Sequence, residues 1–280
     1  MIILRNLTEM QSVLSELKAK NKTIGFVPTM GALHAGHISL VEESKKQNDF
    51  TIVSVFVNPT QFNNLEDLEK YPRTEQADAA LLEDAGVDAV FFPSVEVMYP
   101  NGAESNSYDF NGLENQMEGK FRPGHFDGVG TIVKRFFEIV QPDHAYFGEK
   151  DFQQLRIIQQ MVENYKIPLE IVPVEIKRDE NGLAMSSRNK RLTEEMLEES
   201  PKIYQILLKA KDFLQNNSVE ATKKMVEEEF AKTKLELEYI EIADEKTLES
   251  VTNIEPNQKI RAFIAAFAGD IRLIDNLRLN

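Results

Sequence analysis

Short apolar runs alternate with amphipathic helical patterns through the first two-thirds of the chain, and this alternation limits the possible fold more than any other feature. Right-handed βαβ units around a parallel sheet produce this pattern. The nearly continuous apolar character of residues 52–57 indicates a strand that is covered by helices on both faces. The apolar runs are residues 23–27, 50–57, 89–92, 144–147 and 169–176, and the helical patterns include residues 75–85, 129–139 and 152–165. We therefore predict an α/β fold with a doubly wound parallel sheet.

Beyond about residue 177 the pattern changes to long charged helices followed by strands. The predicted helices are residues 193–214 and 219–234, and the predicted strands are residues 238–243, 259–267 and 271–274. This order is typical of a smaller α+β domain with an antiparallel sheet. We therefore predict a first domain over residues 1–176 and a second over residues 177–280. Residues 101–120, rich in Asn, Gly and Ser, predict a loop or a mobile flap.

The composition excludes several classes of function. The chain contains no cysteine, which excludes disulfides, thiolate catalysis and Cys-ligated metal sites. It has 46 acidic and 32 basic residues, and this formal charge of −14 opposes binding to nucleic acid or to anionic membranes. No apolar stretch has the length of a membrane span, and the N-terminus lacks a signal-peptide core. We expect a cytoplasmic protein that binds small molecules.

The turn after the first predicted strand contains two of the four histidines, His34 and His37. Gly31 and Gly36 allow a ligand to approach the backbone, and free N–H groups at the start of the following helix favour an anion. Two imidazoles three residues apart lie on one helix face and can donate hydrogen bonds to one phosphate. The glycine spacing also matches a Walker A loop, but His37 and Ile38 replace its Lys and its Ser or Thr, so we reject a P-loop.

Polar clusters also follow three of the other predicted strands. Ligands of a parallel α/β sheet bind at the carboxyl ends of its strands, so we expect the clusters to converge on one ligand. Amide side chains suit a polar small molecule, whereas hydroxyls and cations suit a polyphosphate. The clusters are Asn58 with Gln61, then Gly148, Glu149, Lys150 and Asp151 with Gln154, and finally Met185, Ser186, Ser187 and Arg188.

Each of these residue types also has a purely structural interpretation. Ser186 and Ser187 could be turn or helix-capping residues, and Lys150 with Asp151 could be a surface ion pair. Asp78, on the helix predicted over residues 75–85, is a candidate magnesium ligand. A solvated helix carboxylate is the simpler interpretation of Asp78.

Together these motifs resemble the pantothenate synthetase (pantoate–β-alanine ligase) family, which belongs to the HxGH nucleotidyltransferase superfamily together with the class I aminoacyl-tRNA synthetases. The resemblance covers most of residues 23–192. It is carried by PTMGALHAGH, SVFVNPTQF, YPRT, RPGHFDGV, FGEKDFQQL and GLAMSSRN. It implies a Rossmann-like first domain, a smaller C-terminal lid, a homodimer, and dependence on ATP and Mg²⁺.

The resemblance implies condensation of (R)-pantoate with β-alanine to pantothenate, through a pantoyl adenylate, with release of AMP and pyrophosphate. It places pantoate and β-alanine at Asn58, Gln61 and Gln154, and it makes His37 the usual proton donor. The other catalytic residues that it implies are His34, Lys150, Ser186, Ser187 and Arg188. The ATP contacts that it implies are Met30, Gly31, Ala32, Leu33, His34, Ala35, Gly36, His37, Gly148, Glu149, Lys150, Asp151, Lys177, Met185, Ser186, Ser187 and Arg188.

Three positions depart from the family pattern without breaking a catalytic motif. Lys177 stands where an apolar residue is commoner, and Asn181 stands where an Asp is commoner. Gly130 replaces a larger residue, which predicts a looser start for its helix.

Two other functions remain open. A nucleotidyltransferase of the same superfamily could join AMP or CMP to a phosphate-bearing substrate. Such an enzyme would need additional basic residues for the second phosphate, whereas the amides of Asn58, Gln61 and Gln154 suit a hydroxy acid better. A regulatory nucleotide-binding protein could keep the fold without turnover, but its His, Lys or Ser–Arg motifs would be degraded. Here these motifs are intact.

Overall fold

The structure, a computed structural model, describes residues 1–62 and 65–280. Contacts between Cα atoms divide the chain into two compact units. The first unit consists of Met1–Glu149 and Gln154–Glu175, and the second consists of Lys150–Gln153 and Ile176–Asn280. No helix within the described ranges is both long enough and apolar enough to cross a membrane.

The first unit is built on a parallel sheet of six strands, which confirms the predicted doubly wound α/β architecture. The strands are β1 (Ile2–Leu4), β2 (Ile24–Thr29), β3 (Phe50–Val55), β4 (Ala89–Phe91), β5 (His144–Gly148) and β6 (Glu170–Val174), in the order β1-β4-β3-β2-β5-β6. The helices are α1 (Leu7–Ala19), α2 (Ala35–Gln47), α3 (Leu65–Lys70), α4 (Glu75–Asp84), α5 (Val95–Met98), α6 (Met117–Phe121), α7 (His125–Val140) and α8 (Phe152–Tyr165), whose first two residues belong to the second unit.

The strand order reverses at β2. Strands β3 and β4 follow on one side of β2, and β5 and β6 follow on the other. The register pairs Gly25 with His144 and Phe26 with Ala145, so Thr29 and Gly148 end their strands at the same level. Diverging connections at such a reversal leave a crevice at the carboxyl edge of the sheet, which is the usual ligand position in this architecture.

The second unit contains an antiparallel sheet of three strands, as the sequence predicts. Its elements are α9 (Glu194–Glu199), α10 (Lys202–Leu214), α11 (Val219–Phe230), β7 (Glu236–Asp244), β8 (Ile260–Ala268) and β9 (Ile271–Arg278). Leu207 of α10, Val226 of α11 and Ile242 of β7 are fully buried in its core.

Three predictions about local structure were wrong or incomplete. The single helix predicted over residues 193–214 is broken between α9 and α10, because Pro201 has no N–H to continue the helical hydrogen bonds. The alternation of apolar and polar residues near the N-terminus did not predict β1 and α1. Residues 101–120, predicted as a loop or flap, contribute Phe110, Leu113 and Met117 to the core and contain most of α6.

Gly130 lies in a tightly packed part of α7, so the predicted looseness at this position is wrong. A Cβ atom at Gly130 would lie 2.9 Å from Cζ of Phe110 and 3.2 Å from Cδ2 of Tyr108. The missing side chain allows the Phe110 ring to reach the helix. Gly130 therefore favours close packing of the segment before α6.

Candidate active site

Asp78 of α4 organises the turn between β2 and α2. Its carboxylate is buried, with 2% of the residue exposed. Oδ2 accepts the N–H of Ala32 at 3.0 Å, and Oδ1 accepts the N–H of Leu33 at 2.8 Å. The Thr74 hydroxyl donates to Oδ2 at 3.1 Å. Our interpretation of Asp78 as a solvated helix carboxylate is therefore wrong, since α4 directs this side chain inward beneath the turn.

Gly31 allows this carboxylate to come close to the turn. Its φ of +82° is in the left-handed region, and a Cβ there would lie 3.1 Å from Oδ2 of Asp78. A side chain at this position would be strained by the backbone conformation and crowded by the carboxylate. The glycine therefore serves the packing of the turn.

The backbone donors of the turn are largely used by the protein itself. The N–H of Gly31 donates to Oγ1 of Thr29 at 3.3 Å, and the N–H groups of residues 32 and 33 donate to Asp78. The N–H groups of His34 and Gly36 donate to imidazole nitrogens. Of these groups only the N–H of Gly36 lies within the first turn of α2, and there the prediction of a free N–H group facing an anion is wrong.

The two histidines of this turn form a reciprocal cap at the start of α2. Nδ1 of His34 accepts the N–H of Gly36 at 3.1 Å, and Nδ1 of His37 accepts the N–H of His34 at 3.3 Å. The ring centroids are 4.1 Å apart. A neutral imidazole whose Nδ1 accepts a hydrogen bond carries its proton on Nε2. The fold therefore selects the tautomer in which both rings are Nε2–H donors.

Asn58 is a buried centre of hydrogen bonds after β3. Its Nδ2 donates to Oε1 of Gln61 at 3.0 Å and to the carbonyl of Gly128 at 3.2 Å. Its Oδ1 accepts the hydroxyls of Tyr99 at 2.6 Å and Thr60 at 3.2 Å. Burial raises the pKa of the Tyr99 phenol above its ordinary value, so the phenol remains a proton donor at neutral pH. The amide of Asn58 therefore orients Gln61, and its predicted contact with pantoate stays a prediction.

Gln61 connects the cluster after β3 to the turn after β2. Its Nε2 donates to Sδ of Met30 at 3.1 Å. Asn58 fixes the opposite end of the amide, because its own Nδ2 requires an acceptor there. The structure thus brings together two of the predicted polar clusters, at the carboxyl ends of neighbouring strands.

The start of α7 supports the short 3₁₀ helix Pro59–Gln61, a contact that sequence reasoning missed. Nδ1 of His125 lies 2.8 Å from the carbonyl oxygen of Gln61. A Cβ at Gly128 would lie 2.4 Å from the carbonyl oxygen of Thr60. Only glycine allows this approach of two backbones. The RPGHFDGV motif contains both residues, but its packing partner is distant in sequence.

Gly148 ends β5 beside the end of β2, with Glu149 following it. Unlike Gly31, it does not have a left-handed φ, and a Cβ at Gly148 would have no atom of the described residues within 4 Å. The backbone conformation at Gly148 therefore does not require glycine. The space beside it fits the close approach of a ligand. Gln154 lies in the first turn of α8 and is partly buried.

Lys150 and Asp151 belong to the second unit, in the 3₁₀ helix Glu149–Asp151. Lys150 is half-buried, and within the part of the chain that the structure describes it forms no ion pair with Asp151. The alternative of a surface ion pair is therefore wrong. The carbonyl oxygen of Lys150 accepts a hydrogen bond from Nδ2 of Asn276 at 2.9 Å.

Residues 177–185 form a hairpin that brings two predicted ATP contacts, Lys177 and Met185, together. The N–H of Met185 donates to the carbonyl of Lys177 at 3.0 Å. Ser186 caps the 3₁₀ helix Ser187–Arg191, because its Oγ accepts the N–H of Arg188 at 3.3 Å. The capping interpretation of Ser186 is confirmed, and its predicted contact with ATP stays a prediction.

No three His, Asp or Glu side chains of the described ranges are grouped as metal ligands. Both carboxylate oxygens of Asp78 already accept N–H groups. A metal ion would have to displace these donors from a buried carboxylate. The arrangement of Asp78 therefore does not fit the predicted role of a magnesium ligand.

Comparisons with known proteins agree with these observations. The sequence model of the Pantoate-beta-alanine ligase family matches residues 2–278. A pantothenate synthetase from Flavobacterium psychrophilum is 51% identical over the whole of both chains. The crystal structure of pantothenate synthetase from Thermus thermophilus is 40% identical, superposes with a TM-score of 0.92, and covers 100% of this chain and 99% of that one. The pantoate-β-alanine ligase of Francisella tularensis, complexed with β-γ ATP and β-alanine, is 39% identical with a TM-score of 0.83, covering 100% of this chain and 98% of that one. The chain belongs to the pantoate-β-alanine ligase family.

Proposed function

We propose that this enzyme condenses (R)-pantoate with β-alanine to give pantothenate, with conversion of ATP to AMP and pyrophosphate. The observation that carries the proposal is the link between Gln61 and Met30, which joins the two-histidine turn to the amide cluster at the switch point of the sheet. Family membership over residues 2–278 supports it. So does the Francisella tularensis ligase, whose structure is complexed with β-γ ATP and β-alanine.

In the first step, a carboxylate oxygen of pantoate attacks the α-phosphorus of ATP, and pyrophosphate leaves with the electrons of the broken P–O bond. Pantoyl adenylate is the product. A carboxylate needs no base to attack, so the main requirement is stabilisation of the charge that develops on the phosphoryl oxygens. We assign this role to Nε2–H of His34 and His37, and to Lys150, Ser186, Ser187 and Arg188. The resemblance makes His37 the proton donor.

We propose that Gln61 and Gln154 hold pantoate. The Gln61 amide is oriented before any ligand binds, since Asn58 donates to its oxygen and Met30 accepts from its nitrogen. A preoriented amide loses little conformational freedom when it binds a hydroxy acid.

We propose that magnesium enters the reaction with ATP, as part of the substrate MgATP. Mg²⁺ at such sites is commonly bound mainly by the phosphates of the substrate and by water. The bonds that Asp78 makes to the turn are consistent with this assignment.

In the second step, the neutral amine of β-alanine attacks the acyl carbon of the adenylate. The C–O bond to AMP breaks, AMP leaves, and the amine proton is lost as the amide forms. The protein contributes chiefly by holding the mixed anhydride in place and keeping water away from it.

The domain boundary at residue 176, the role of residues 177–280 as a lid, the homodimer and the cytoplasmic location stay predictions. So do the other predicted ATP contacts at residues 30–37, 148–151, 177 and 185.

A simple assay tests the proposed function against its two alternatives. The protein is mixed with MgATP and pantoate, and pyrophosphate is measured before and after β-alanine is added. We expect pantoate-dependent pyrophosphate release, and sustained AMP formation only with β-alanine. Nucleotide transfer to a phosphate-bearing acceptor would favour a nucleotidyltransferase, and ATP binding without turnover would favour a regulatory protein.

Oxygen-18 in the pantoate carboxylate is expected to appear in AMP. The label moves because one carboxylate oxygen becomes the bridging oxygen of the adenylate and stays with phosphorus when the amide forms. Mass spectrometry of AMP and phosphate measures its position. Label in inorganic phosphate would instead indicate an acyl phosphate intermediate.

Gly128→Ala is expected to raise the KM for pantoate about tenfold, because the new methyl group would displace the Thr60–Gln61 backbone. Overpacking of this kind costs about 1–3 kcal/mol of stability. Gly130→Ala is the matched control, since Gly130 lies on the same helix as Gly128 but its new methyl group would crowd Phe110 and not residues 59–61. Equal effects of the two substitutions on the pantoate KM would contradict the proposed role of the Gln61 turn.

A further inference from the structure

We propose that Asp275 and Asn276, neighbours on β9, are positioning residues that hold the Lys150 turn and the 177–188 segment for adenylate formation. This inference rests on the proposed function. Neither residue lies in a motif that the sequence analysis singled out. Both are buried, with 5% of Asp275 and 2% of Asn276 exposed.

Asp275 holds the base of the 177–188 segment through Arg178. The guanidinium donates from Nη1 to Oδ2 at 2.6 Å and from Nη2 to Oδ1 at 2.8 Å. The Tyr204 ring covers the guanidinium, with 3.7 Å between the Arg178 Cζ atom and the ring centroid. A bidentate pair that is also stacked on an aromatic ring has one well-defined geometry. Arg178 is therefore fixed in both position and orientation.

The position of Arg178 determines the path of the chain on both sides of the hairpin. Arg178 forms a β-bridge with Ala184, and Nη1 also donates to the carbonyl of Gly182 at 3.1 Å. The next rung is the bond between Met185 N–H and the Lys177 carbonyl at 3.0 Å. Met185 leads directly into the predicted ATP contacts at residues 186–188. A shift of Arg178 would therefore move both ends of the segment.

Asn276 holds the Lys150 turn. Its Nδ2 donates to the carbonyl of Lys150 at 2.9 Å, and its Oδ1 accepts Nη1 of Arg261 at 2.5 Å. Arg261 is itself fixed, because it donates to Glu245 at 2.8 Å and its Cζ atom lies 3.9 Å from the centroid of the Phe152 ring. A guanidinium can only donate, so it directs the oxygen of the Asn276 amide toward itself and the nitrogen toward Lys150.

Stability alone is a weak explanation for these buried polar groups. Burial raises the pKa of the Asp275 carboxyl, and the Arg178 guanidinium opposes this shift. Apolar residues of similar volume often replace a buried ion pair without loss of stability. What an apolar pair cannot provide is directional bonds that place Lys150 and residues 177–188 relative to one strand. Misplacement of reacting groups by about 1 Å can cost about 100-fold in rate.

Asn276→Asp tests the Lys150 contact with the smallest change in shape. The new carboxylate can still accept from Arg261, but it cannot donate to the Lys150 carbonyl. In single-turnover reactions with enzyme in excess and saturating MgATP and pantoate, we expect the rate constant of pyrophosphate release to fall about 10- to 100-fold. The amplitude should remain complete, because a positioning defect slows every molecule. A purely structural defect would lower the amplitude and leave the rate constant unchanged.

Glu238→Gln is the matched control. Glu238 pairs with Arg272 on the same sheet, at 2.9 Å between its Oε2 and Nε of Arg272, and neither residue lies in the Lys150 turn or the 177–188 segment. Its pyrophosphate release should stay within about twofold of the wild type, as exposed or partly exposed ion pairs contribute little.

Arg178→Lys tests the role of Asp275 by changing its ion-pair partner, so that β9 itself is not altered. It keeps the positive charge but removes the bidentate geometry and the stacking on Tyr204, so we expect a higher KM for ATP and a slower single turnover. This second variant also decides the matter if Asn276→Asp does not fold. Wild-type rate constants in a folded variant would overturn the inference. Absence of pantoate-dependent pyrophosphate release from the wild-type enzyme would instead refute the proposed function.

Discussion

Lys150→Ala is expected to slow adenylate formation about 10²- to 10³-fold, the usual cost of removing one well-placed donor to a developing charge. Lys150 is half-buried and forms no ion pair with Asp151 in the described ranges, although its charge also acts on the buried Asp275. We propose that its ammonium binds the α-phosphoryl group and the departing pyrophosphate. In a chain with a formal charge of −14, one such local cation has few substitutes. Pantoate-dependent exchange between ATP and pyrophosphate measures this step directly.

The same substitution should leave the fold intact. Asn276 binds the main-chain carbonyl of Lys150, and this bond does not depend on the side chain. We expect the Tm of the variant to stay within a few degrees of the wild type. Lys224→Ala, which removes an exposed lysine whose Nζ lies 4.0 Å from Glu228, is the control for loss of a positive charge. Normal exchange in folded Lys150→Ala would refute the assignment of this residue.

The sheet and the position of the polar clusters could be predicted because both depend on local patterns. Apolar runs such as residues 52–57 are buried on both faces of a parallel sheet, and the polar residues after them must lie at its carboxyl edge. The hydrogen bond between Gln61 and Met30 agrees with this rule, because the two residues follow neighbouring strands. The convergence of all four clusters on one ATP molecule stays a prediction.

The contacts that hold the site in place could not be predicted, because they join residues that are distant in sequence. Asp78 lies 46 residues from Ala32, and Asn276 lies 126 residues from Lys150. Periodicity places a side chain on a face of a helix or strand but does not identify its partner. The helix start after residue 34 illustrates the consequence. The sequence indicates free backbone donors at the helix start, whereas in the fold the N–H of Gly36 already donates to the imidazole of His34.

Asp78→Asn is expected to destabilise the enzyme by about 2–4 kcal/mol, because one end of the new amide would place N–H groups against a backbone N–H. Ala32 donates to one carboxylate oxygen and Leu33 to the other, so no orientation of an amide satisfies both. The turn would shift, and the imidazoles of His34 and His37 with it. We therefore expect pyrophosphate release to fall at least about tenfold in the folded fraction. Urea unfolding and single-turnover kinetics measure the two effects.

The magnesium dependence of this variant separates positioning from metal binding. A residue that binds Mg²⁺ would, when neutralised, raise the magnesium concentration required for activity, and excess magnesium would restore the rate. A residue that holds the turn would leave this dependence unchanged, since the defect lies in the placement of the histidines. Thr74→Val is the matched control, because it removes one donor to Asp78 and leaves both backbone bonds, at an expected cost of about 0.5–1.5 kcal/mol. Recovery of Asp78→Asn activity by magnesium would show that this carboxylate binds the ion despite its two N–H partners.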